Sequence, residues 1–395
     1  MGAGTLLPIV GESHGGMVST AGAIPRISSL LIKPASALCN LDCTYCFYLD
    51  RALDPYKEIN ARRMPIETLE RLVETYLFYS YPNSVFAFQG GEPTLAGLDF
   101  FEKLVEFQKR YGRDGQNVSN ALQTNAVLID DNWARLFHSY NWLLGVSMDG
   151  PEDIHDTYRL NKGGQGTWRQ VMKAIETLQK RKVEFNILCV LNQVNVDKPK
   201  ELYRYWKKMG VDNVQYIPIS EFDAEGNRLP FTVTPEQYGR FLVETFDLWW
   251  PDRRKFRIRF YDNLAEALAG QKPGACTMHD SCDSYVVVEY NGDVYPCDFF
   301  VEGDWKLGNI NQDTWPEIAR RQRRFQFAGT KQIPHPACQV CEWRDICKNG
   351  CPKFRYSPRR RFEDLDYFCQ SYKMIYSHAA GPLRQEVEKL LGRAV

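Results

Sequence analysis

The placement of its 12 cysteines constrains this chain more than any other feature of the sequence. Three of them, Cys39, Cys43 and Cys46, follow the apolar run 30–32 with the spacing C-x3-C-x2-C. Gaps of three and two residues let one loop direct three thiols toward the corners of a small metal cluster. An iron–sulfur cluster usually has four thiolate ligands, so three local cysteines either recruit a distant fourth or leave one iron open to another molecule. A zinc loop or three buried free thiols are the alternatives.

The overall composition indicates a globular protein whose cysteines stay reduced. The chain has 395 residues, 44% hydrophobic and 25% charged, which allows one large and one smaller domain or two to three medium domains. Lys plus Arg and Asp plus Glu are equal at 49 each, so no net field attracts nucleic acid or a membrane. No run reaches about 18 apolar residues, and no secretory signal pattern is present. We therefore predict a cytoplasmic protein without nucleic-acid or membrane partners, whose cysteines bind metal or catalyse.

Apolar runs alternate with amphipathic segments from residue 28 onward, a pattern typical of βα units with a parallel sheet. Six units over about 190 residues predict a partial (β/α)6 barrel, with its site at the C-terminal ends of the strands. The predicted strands cover 29–32, 84–88, 117–122, 142–147, 184–191 and 213–217. The predicted helices cover 66–79, 98–111, 130–139, 167–180, 198–209, 235–250, 263–269 and 382–391.

Polar and glycine-rich motifs follow the predicted strands, at the edge where a barrel has its site. Glycine there lets the backbone approach a ligand closely, although the G-G-E-P motif also fits a turn before a helix. The motifs comprise Gln89, Gly90, Gly91, Glu92 and Pro93 after the second strand, Gln123 after the third, and Ser147 and Asp149 at the end of the fourth.

Eight further cysteines lie in the second half of the chain, beyond Cys189, which sits in an apolar run and is expected in the core. A hairpin with its turn at Asn291-Gly292 lies among them. Eight thiols suffice for two four-thiolate sites, but spacing alone does not fix their pairing, and two structural zinc sites remain an alternative. The eight are Cys276, Cys282, Cys297, Cys338, Cys341, Cys347, Cys351 and Cys369.

The first cysteine motif resembles the loop of radical S-adenosylmethionine (SAM) enzymes, and the eight later cysteines resemble the SPASM extension of that superfamily. From about 28 to 377 the chain is similar to the anaerobic sulfatase-maturating enzymes, including the segments 31–34 and 46–48 around the first motif. The resemblance implies an α/β fold, a partial (β/α)6 radical SAM barrel of the TIM type followed by a cysteine-rich SPASM domain. We predict a flexible leader at 1–27, the barrel at 28–234, a helical bridge at 235–270, the SPASM domain at 271–378 and a C-terminal helix at 379–395.

The resemblance also implies three [4Fe–4S] clusters and bound SAM. Cys39, Cys43 and Cys46 would hold the SAM-binding cluster. Of the two auxiliary clusters, one would take Cys276, Cys282, Cys297 and Cys351, and the other Cys338, Cys341, Cys347 and Cys369. The implied residues of the SAM or substrate pocket are Tyr45, Tyr48, Gln89, Gly90, Gly91, Glu92, Gln123, Ser147, Asp149 and Arg159.

The reaction that the resemblance implies is oxidation of a Ser or Cys side chain in an unfolded sulfatase to Cα-formylglycine. Asp298, directly after Cys297, takes the position of the family's general base, although a carboxylate there also fits a solvated turn. A donor such as flavodoxin or ferredoxin would supply single electrons. The alternatives are a SPASM maturase that forms thioether or carbon–carbon crosslinks in a precursor peptide, a zinc-stabilised scaffold and an iron–sulfur electron carrier.

Overall fold

The computed structural model describes residues 27–48, 63–223, 225–324, 326–355 and 362–392. Most of the predicted leader, 1–26, lies outside the described residues. Among the helices of the described part, none combines the length and the apolar character that crossing a membrane requires.

One mixed sheet of ten strands organises the described chain. Its strands are β1 Ser29–Lys33, β2 Asn83–Phe88, β3 Asn117–Thr124, β4 Leu143–Ser147, β5 Phe185–Leu191, β6 Asn213–Pro218, β7 Arg257–Ile258, β8 Tyr285–Glu289, β9 Asp293–Tyr295 and β10 Gly308–Asn309. They lie in the order β10-β9-β8-β1-β2-β3-β4-β5-β6-β7. All six predicted strands are present and pair in parallel, which places their C-terminal ends at one edge, as the barrel prediction requires.

Helices connect and cover these strands. They are α1 Ile66–Ser80, α2 Leu98–Tyr111, α3 Asp131–Ser139, α4 Glu152–Tyr158, α5 Trp168–Lys180, α6 Pro199–Lys208, α7 Pro235–Trp249, α8 Arg259–Leu268, α9 Trp315–Arg324, α10 Gln326–Gly329, α11 Pro336–Gln339, α12 Arg344–Cys347, α13 Pro352–Arg355 and α14 Cys369–Leu391. Short 3-10 turns cover Pro93–Ala96, Trp250–Asp252, Cys276–Met278, Gly303–Trp305 and Thr330–Gln332.

The core lies between the sheet and the helical layer. Alternate strand residues such as Phe86 and Phe88 are completely buried against the helices, whereas Ala87 between them is only half-buried. Successive side chains of a strand point to opposite faces, so the second face borders the interior of the partial barrel. The strands thus present their C-terminal ends and their inner face to one common space.

The second half of the chain extends the same sheet. The predicted hairpin forms as β8 and β9 in antiparallel pairing, and β8 also pairs in parallel with β1. The predicted start of the last helix at 382 is wrong, because α14 begins at Cys369 and contains Pro382. Proline commonly begins a helix, which is why the sequence favoured a start there, but packing of α14 against α7 and α8 outweighs the local break. The helix therefore continues through the predicted domain boundary between 378 and 379.

Candidate active site

The first cysteine loop leaves β1 at the C-terminal edge of the sheet and is tied to the segment after α4. The backbone N–H groups of Asp42 and Thr44 donate to the carbonyls of Leu160 and Tyr158 at 2.8 and 3.1 Å. Within the loop, the N–H of Cys46 donates to the carbonyl of Cys43 at 2.9 Å. These backbone hydrogen bonds help to set the conformation from which the thiols project.

The three thiols of this loop are close to one another and largely shielded from water. Burial, together with the charges of Glu92 and Cys46, raises the pKa of Cys39 to about 11. Burial raises the pKa of Cys43, against the opposing effect of Arg159, to a net value of about 12. Metal ligation requires thiolates, so loading this site displaces protons that burial would otherwise retain.

The G-G-E-P motif packs backbone to backbone against the approach to the cysteine loop. The N–H of Gly91 donates to Ser36 O at 2.8 Å, and the N–H of Glu92 donates to Leu38 O at 2.7 Å. A Cβ atom on Gly91 would lie 2.1 Å from Leu38 O, and one on Gly90, whose φ is +132°, would lie 2.5 Å from Ser36 O. Glycine is required here because two backbone segments touch.

Glu92 has no solvent-exposed surface, and both of its carboxylate oxygens accept hydrogen bonds from other groups of the protein. One carboxylate oxygen accepts from the backbone N–H and the hydroxyl of Thr94, at 3.0 and 2.6 Å, and from the hydroxyl of Thr124 at 2.8 Å. The other oxygen accepts from Asn125 N at 2.7 Å. The amide of Asn125 in turn lies 3.6 Å from the Cys39 sulfur. Glu92 therefore connects the ends of β2 and β3 to the cysteine loop.

Tyr45, Asp149 and Arg159 form a buried group beneath the same loop. Arg159 binds both oxygens of Asp149, at 3.0 and 3.1 Å, and the hydroxyl of Tyr45 donates to the same carboxylate. Val190 N also donates to Asp149, at 2.9 Å. The structure thus brings three predicted pocket residues together, with their polar groups directed mainly to one another.

Gln123 and Ser147 occupy the same edge of the sheet without entering that group. Gln123 precedes the last residue of β3 and has an exposed side chain, and Ser147 ends β4 half-buried. Gln123 is in register with Gly145 of β4. Both side chains therefore lie at the carboxyl ends of parallel strands, where barrel enzymes bind their ligands.

Asp298 is the point at which the two halves of the chain meet. Its side chain accepts from Tyr48 at 2.9 and 3.1 Å, from Gln89 Nε2 at 2.9 Å, and from Lys33 Nζ at 2.7 Å. Only 7% of Asp298 is exposed. Burial raises the pKa of Tyr48 far above its usual value, and the charge of Asp298 adds to this, so Tyr48 acts as a proton donor in the hydrogen bond.

Lys33 and Glu289 belong to this site but were not predicted as site residues. Lys33 Nζ lies 3.6 Å from Glu289 Oε1 as well as 2.7 Å from Asp298 Oδ1, and both Lys33 and Glu289 are almost completely buried. Burial lowers the pKa of Lys33, but the charges of Asp298 and Glu289 together raise it above its usual value. One feature of the sequence could have identified Lys33 as a site residue. It is a lysine at the end of an apolar strand, on the edge of the sheet where the site lies.

The eight later cysteines fall into two spatial sets. In the first, the charge of Cys351 interacts with those of Cys276 and Cys297, and Cys282 interacts with Cys351 and Cys276. Burial raises the pKa of Cys282 and of Cys297 to about 12. The second set comprises Cys338, Cys341, Cys347 and Cys369, in which Cys369 interacts with each of the other three.

The geometry of these sets matters for what they can hold. In the described ranges, no three His, Cys, Asp or Glu side chains stand close enough together to hold a single metal ion. A four-iron cluster is wider than one ion, and its thiolate ligands lie correspondingly further apart. Three sets of half-buried, mutually interacting thiols fit such clusters in number and in chemistry.

Comparison with known proteins identifies the family. Residues 34–205 match the model of the Radical SAM superfamily, and residues 276–342 match SPASM, described as an iron–sulfur cluster-binding domain. A cysteine-type anaerobic sulfatase-maturating enzyme of Clostridium perfringens is 39% identical over 356 residues, covering 89% of this chain and 96% of that protein. The chain belongs to the anaerobic sulfatase-maturating enzymes.

Further similarities to this family come from a second relative and from solved structures. A serine-type anaerobic sulfatase-maturating enzyme of Bacteroides thetaiotaomicron is 37% identical over 370 residues, 89% of each chain. The structure of native anSMEcpe with bound AdoMet (SAM) superposes with a TM-score of 0.84 at 38% identity, covering 91% of this chain and 99% of that one. Streptococcus suis SuiB, at 16% identity and a TM-score of 0.62 over 87% of this chain and 77% of its own, shares the fold.

The predicted fold and cofactors of this sulfatase-maturating enzyme are confirmed. It has a radical SAM barrel followed by a SPASM domain, and it uses SAM and three [4Fe–4S] clusters, one that binds SAM and two auxiliary clusters. The zinc alternatives are therefore set aside, as is the electron carrier, because residues 34–205 match the Radical SAM superfamily. The crosslinking maturase is not favoured, since the relatives of high identity are sulfatase-maturating enzymes.

Proposed function

We propose that this enzyme oxidises a Cys or Ser side chain in an unfolded sulfatase polypeptide to Cα-formylglycine. The observation that carries the proposal is Asp298, held by Tyr48, Gln89 and Lys33 between the cysteine loop of the barrel and Cys297 of the second half. Similar anSMEcpe structures contain AdoMet, in one case together with the Kp18Cys peptide. A carboxylate at this junction suits a reaction that removes a proton beside an electron acceptor.

The proposed cluster ligands follow the three sets of thiols. Cys39, Cys43 and Cys46 would hold the SAM-binding cluster. The proposed ligands of the auxiliary clusters are Cys276, Cys282, Cys297 and Cys351 for one, and Cys338, Cys341, Cys347 and Cys369 for the other. Bound SAM supplies hydrogen-atom abstraction by a 5′-deoxyadenosyl radical, and the auxiliary clusters supply an acceptor for one electron.

The remaining pocket residues divide into two proposed roles. Tyr45, Glu92 and Arg159 would position the cysteine loop, because their polar groups are already used within the protein. The proposed contacts with SAM or substrate are the backbone of Gly90 and Gly91 and the side chains of Gln123 and Ser147, at the carboxyl ends of β2 to β4.

Asp298 would act as the general base. The β-carbon of the substrate side chain first loses a hydrogen atom. The thiol or hydroxyl on that carbon then gives its proton to a carboxylate oxygen of Asp298, and the remaining unpaired electron leaves the substrate. For a Ser substrate the product at that carbon is the carbonyl of formylglycine. For a Cys substrate it is a thiocarbonyl, which water hydrolyses to the same carbonyl with release of hydrogen sulfide. Tyr48 and Gln89 would hold the carboxylate in place, together with Lys33, whose Nζ lies 2.7 Å from Asp298 Oδ1.

The organisation of the chain and its partners complete the proposal. We keep the barrel at 28–234, the helical bridge at 235–270 and the SPASM domain from 271, with α14 belonging to the latter from Cys369 onward. A donor of single electrons such as flavodoxin or ferredoxin would reduce the SAM-binding cluster. The proposed location is the cytoplasm, with neither nucleic acid nor a membrane as partner.

Asp298→Asn tests the role of the base. In anaerobic assays with SAM, reductant and sulfatase-motif peptides carrying Cys or Ser, the variant should still form 5′-deoxyadenosine but should lose at least about 100-fold in formylglycine, the contribution typical of a general base. Product is read as peptide mass and 5′-deoxyadenosine by chromatography. An equal loss of both quantities would refute the assignment of the base.

Cys39→Ala tests the SAM-binding cluster in the same assay. The variant should form no 5′-deoxyadenosine, because one of three ligands is missing. Cys189→Ala is the matched control, since Cys189 is completely buried in β5, outside all three thiol sets. Formylglycine formation by Cys39→Ala would contradict the proposed function.

A further inference from the structure

Two buried cations lie between the two sets of auxiliary cysteines. Lys331 is 1% exposed and Arg355 is 2% exposed. Lys331 belongs to the 3-10 turn Thr330–Gln332, and Arg355 ends α13, four residues after Cys351. Neither residue contributes to the base at Asp298 or to the first cysteine loop.

Both side chains are held by backbone carbonyls and not by carboxylates. Lys331 Nζ donates to the carbonyls of Thr277 and Cys276 at 2.7 and 3.3 Å. Arg355 donates to four carbonyls at 2.9–3.3 Å, those of Thr330, Ile333, Phe362 and Asp364. Among the described residues neither cation forms an ion pair with Asp or Glu. These contacts fix the two charges in place without neutralising them.

The anionic groups around the two cations are mainly thiolates. Lys331 interacts with Cys282, Cys351 and Cys276 of the first set and with Cys347 of the second. Arg355 likewise interacts with both sets, through Cys338, Cys282 and Cys347, and both cations also interact with one carboxylate, Asp366. Asp366 already accepts the backbone N–H groups of Cys351 and Phe368, both at 2.8 Å. One buried carboxylate does not balance two buried cations.

A buried charge is costly unless an opposite charge lies nearby. A [4Fe–4S] cluster with four thiolate ligands is an anion, and accepting one electron adds one more negative charge. Net charge, hydrogen bonding and solvent exposure are among the properties that set its reduction potential. Two fixed cations beside both thiol sets therefore favour the reduced clusters over the oxidised ones.

We propose that Lys331 and Arg355 are the buried counter-charges of the two auxiliary clusters and raise their reduction potentials. Their charges make it easier for these clusters to take the electron that leaves the substrate after it has lost a hydrogen atom and a proton. The inference rests on the auxiliary ligands given under the proposed function, but not on the identity of the substrate. The two residues act through the clusters and contact neither SAM nor peptide in this role.

The test is a redox titration of the intact enzyme with all three clusters loaded, followed by electron paramagnetic resonance. Signals that do not change when SAM is added belong to the auxiliary clusters. Lys331→Met removes the charge at nearly constant length and should shift their midpoint potentials to more negative values. Lys331→Arg retains the charge and should remain close to the unsubstituted enzyme.

Lys373→Met is the matched control, because Lys373 interacts with Cys369 and Cys338 but is exposed to solvent. Water and salt screen an exposed charge, so this control should shift the potentials much less. Arg355→Met repeats the test with the second cation. Unchanged potentials in fully loaded Lys331→Met and Arg355→Met would overturn the inference.

Two further outcomes would also overturn it. An equal shift of the midpoint potentials in Lys373→Met would show that a surface charge has the same effect as the buried one. Failure of Lys331→Arg to load clusters would show that Lys331 has only a structural role. The titration uses no substrate, so it is independent of the proposed function. If formylglycine were never formed but the potentials shifted as expected, the proposed function would fail and this inference would stand.

Discussion

Lys33 shows how one side chain joins the two halves of the site. It ends β1, lies in register with Glu289 of β8, and reaches Asp298 beyond β9. The sequence predicts that Lys33 lies at the end of a strand and that a cysteine precedes Asp298. It does not predict that Lys33 pairs with Glu289 and Asp298, because pairing between strands more than 250 residues apart leaves no periodic signal. The sequence predicted Asp298, the proposed base, but not the cation that holds it.

Lys33→Met should destabilise the protein by about 3–5 kcal/mol, because it leaves two buried carboxylates without their cation. The free energy of unfolding, measured with denaturant under anaerobic conditions, checks this. Adding Glu289→Gln to Lys33→Met should recover part of the loss, since only one carboxylate then remains. Arg181→Met, which removes an exposed ion pair with Asp131, should change stability far less. Equal effects of Lys33→Met and Arg181→Met would contradict this account.

The buried His155 should make the free energy of unfolding depend on pH. Its ring nitrogens face Asp149 N at 3.4 Å and the Thr167 hydroxyl at 3.2 Å, and burial together with Arg159 lowers its pKa to about 3, against the opposing effect of Asp149. The unfolded chain binds a proton near pH 6.5 and the folded chain does not, so stability falls as pH drops below 6.5.

Between pH 7.5 and 5.5, His155 should therefore contribute a loss of about 1.4 kcal/mol. Unfolding curves of the protein and of His155→Gln at both pH values measure it, because glutamine retains polar groups but does not titrate. An identical pH dependence in the two proteins would refute the assignment.

At the level of elements, local patterns predicted the strands well and the helix ends less well. β1 to β6 agree with prediction within two residues because apolar runs bounded by turns define them directly. No prediction covered α9, which contains the charged run 320–324, or β7, which is only two residues long. The sequence also placed the start of α8 four residues late, at 263 instead of Arg259. Segments stabilised mainly by their neighbours carry a weak local signal.

Gly91→Ala tests the contact between two loops. The new Cβ would lie 2.1 Å from Leu38 O and 2.6 Å from Ala37 C, and backbone cannot move aside as a flexible side chain would. We expect the cysteine loop to be displaced, with iron content falling from three clusters toward two and a lower unfolding temperature.

Gly381→Ala in α14 is the control for this substitution, because outside its own stretch of helix no atom lies within 4 Å of the new Cβ. Gly381 precedes Pro382, whose ring crowds a preceding Cβ, so alanine should not gain its usual stability in a helix, but the cluster content should remain complete. Iron and sulfide analysis distinguishes the two variants. Full cluster content in Gly91→Ala would show that the loops adapt.

On the scale of the whole molecule, the second half of the chain completes the sheet of the first. β8 pairs with β1 along its full length, from Ser29 with Tyr285 to Lys33 with Glu289, and α14 packs on α7 and α8. The sequence showed two cysteine-bearing regions in the correct order, and the predicted boundaries treated them as successive domains. It did not show that they share one sheet, because that depends on β8 pairing with β1, the edge strand of the first half, and the sequence does not specify this long-range pairing.

A chain that ends at residue 270 should therefore aggregate. It would lack β8, so β1 would become an exposed edge with unpaired N–H and C=O groups, and such edges recruit strands of other molecules. Analytical ultracentrifugation of the fragment and of the full chain measures this. Leu31→Lys in the fragment places a charge on that edge and should reduce aggregation. A monomeric, folded fragment without this substitution would contradict the prediction.

The ladder between β1 and β8 also has a consequence for electron tunnelling. The first cysteine loop begins a few residues after β1, and Cys297 follows β9 within two residues, so a continuous hydrogen-bonded ladder connects the loop proposed to hold the SAM-binding cluster with a proposed ligand of an auxiliary cluster. This connection forms when the chain folds and needs no client to bring the two regions together. For a peptide bound as proposed, the rate of electron transfer would then depend on how closely its side chain approaches the auxiliary cluster.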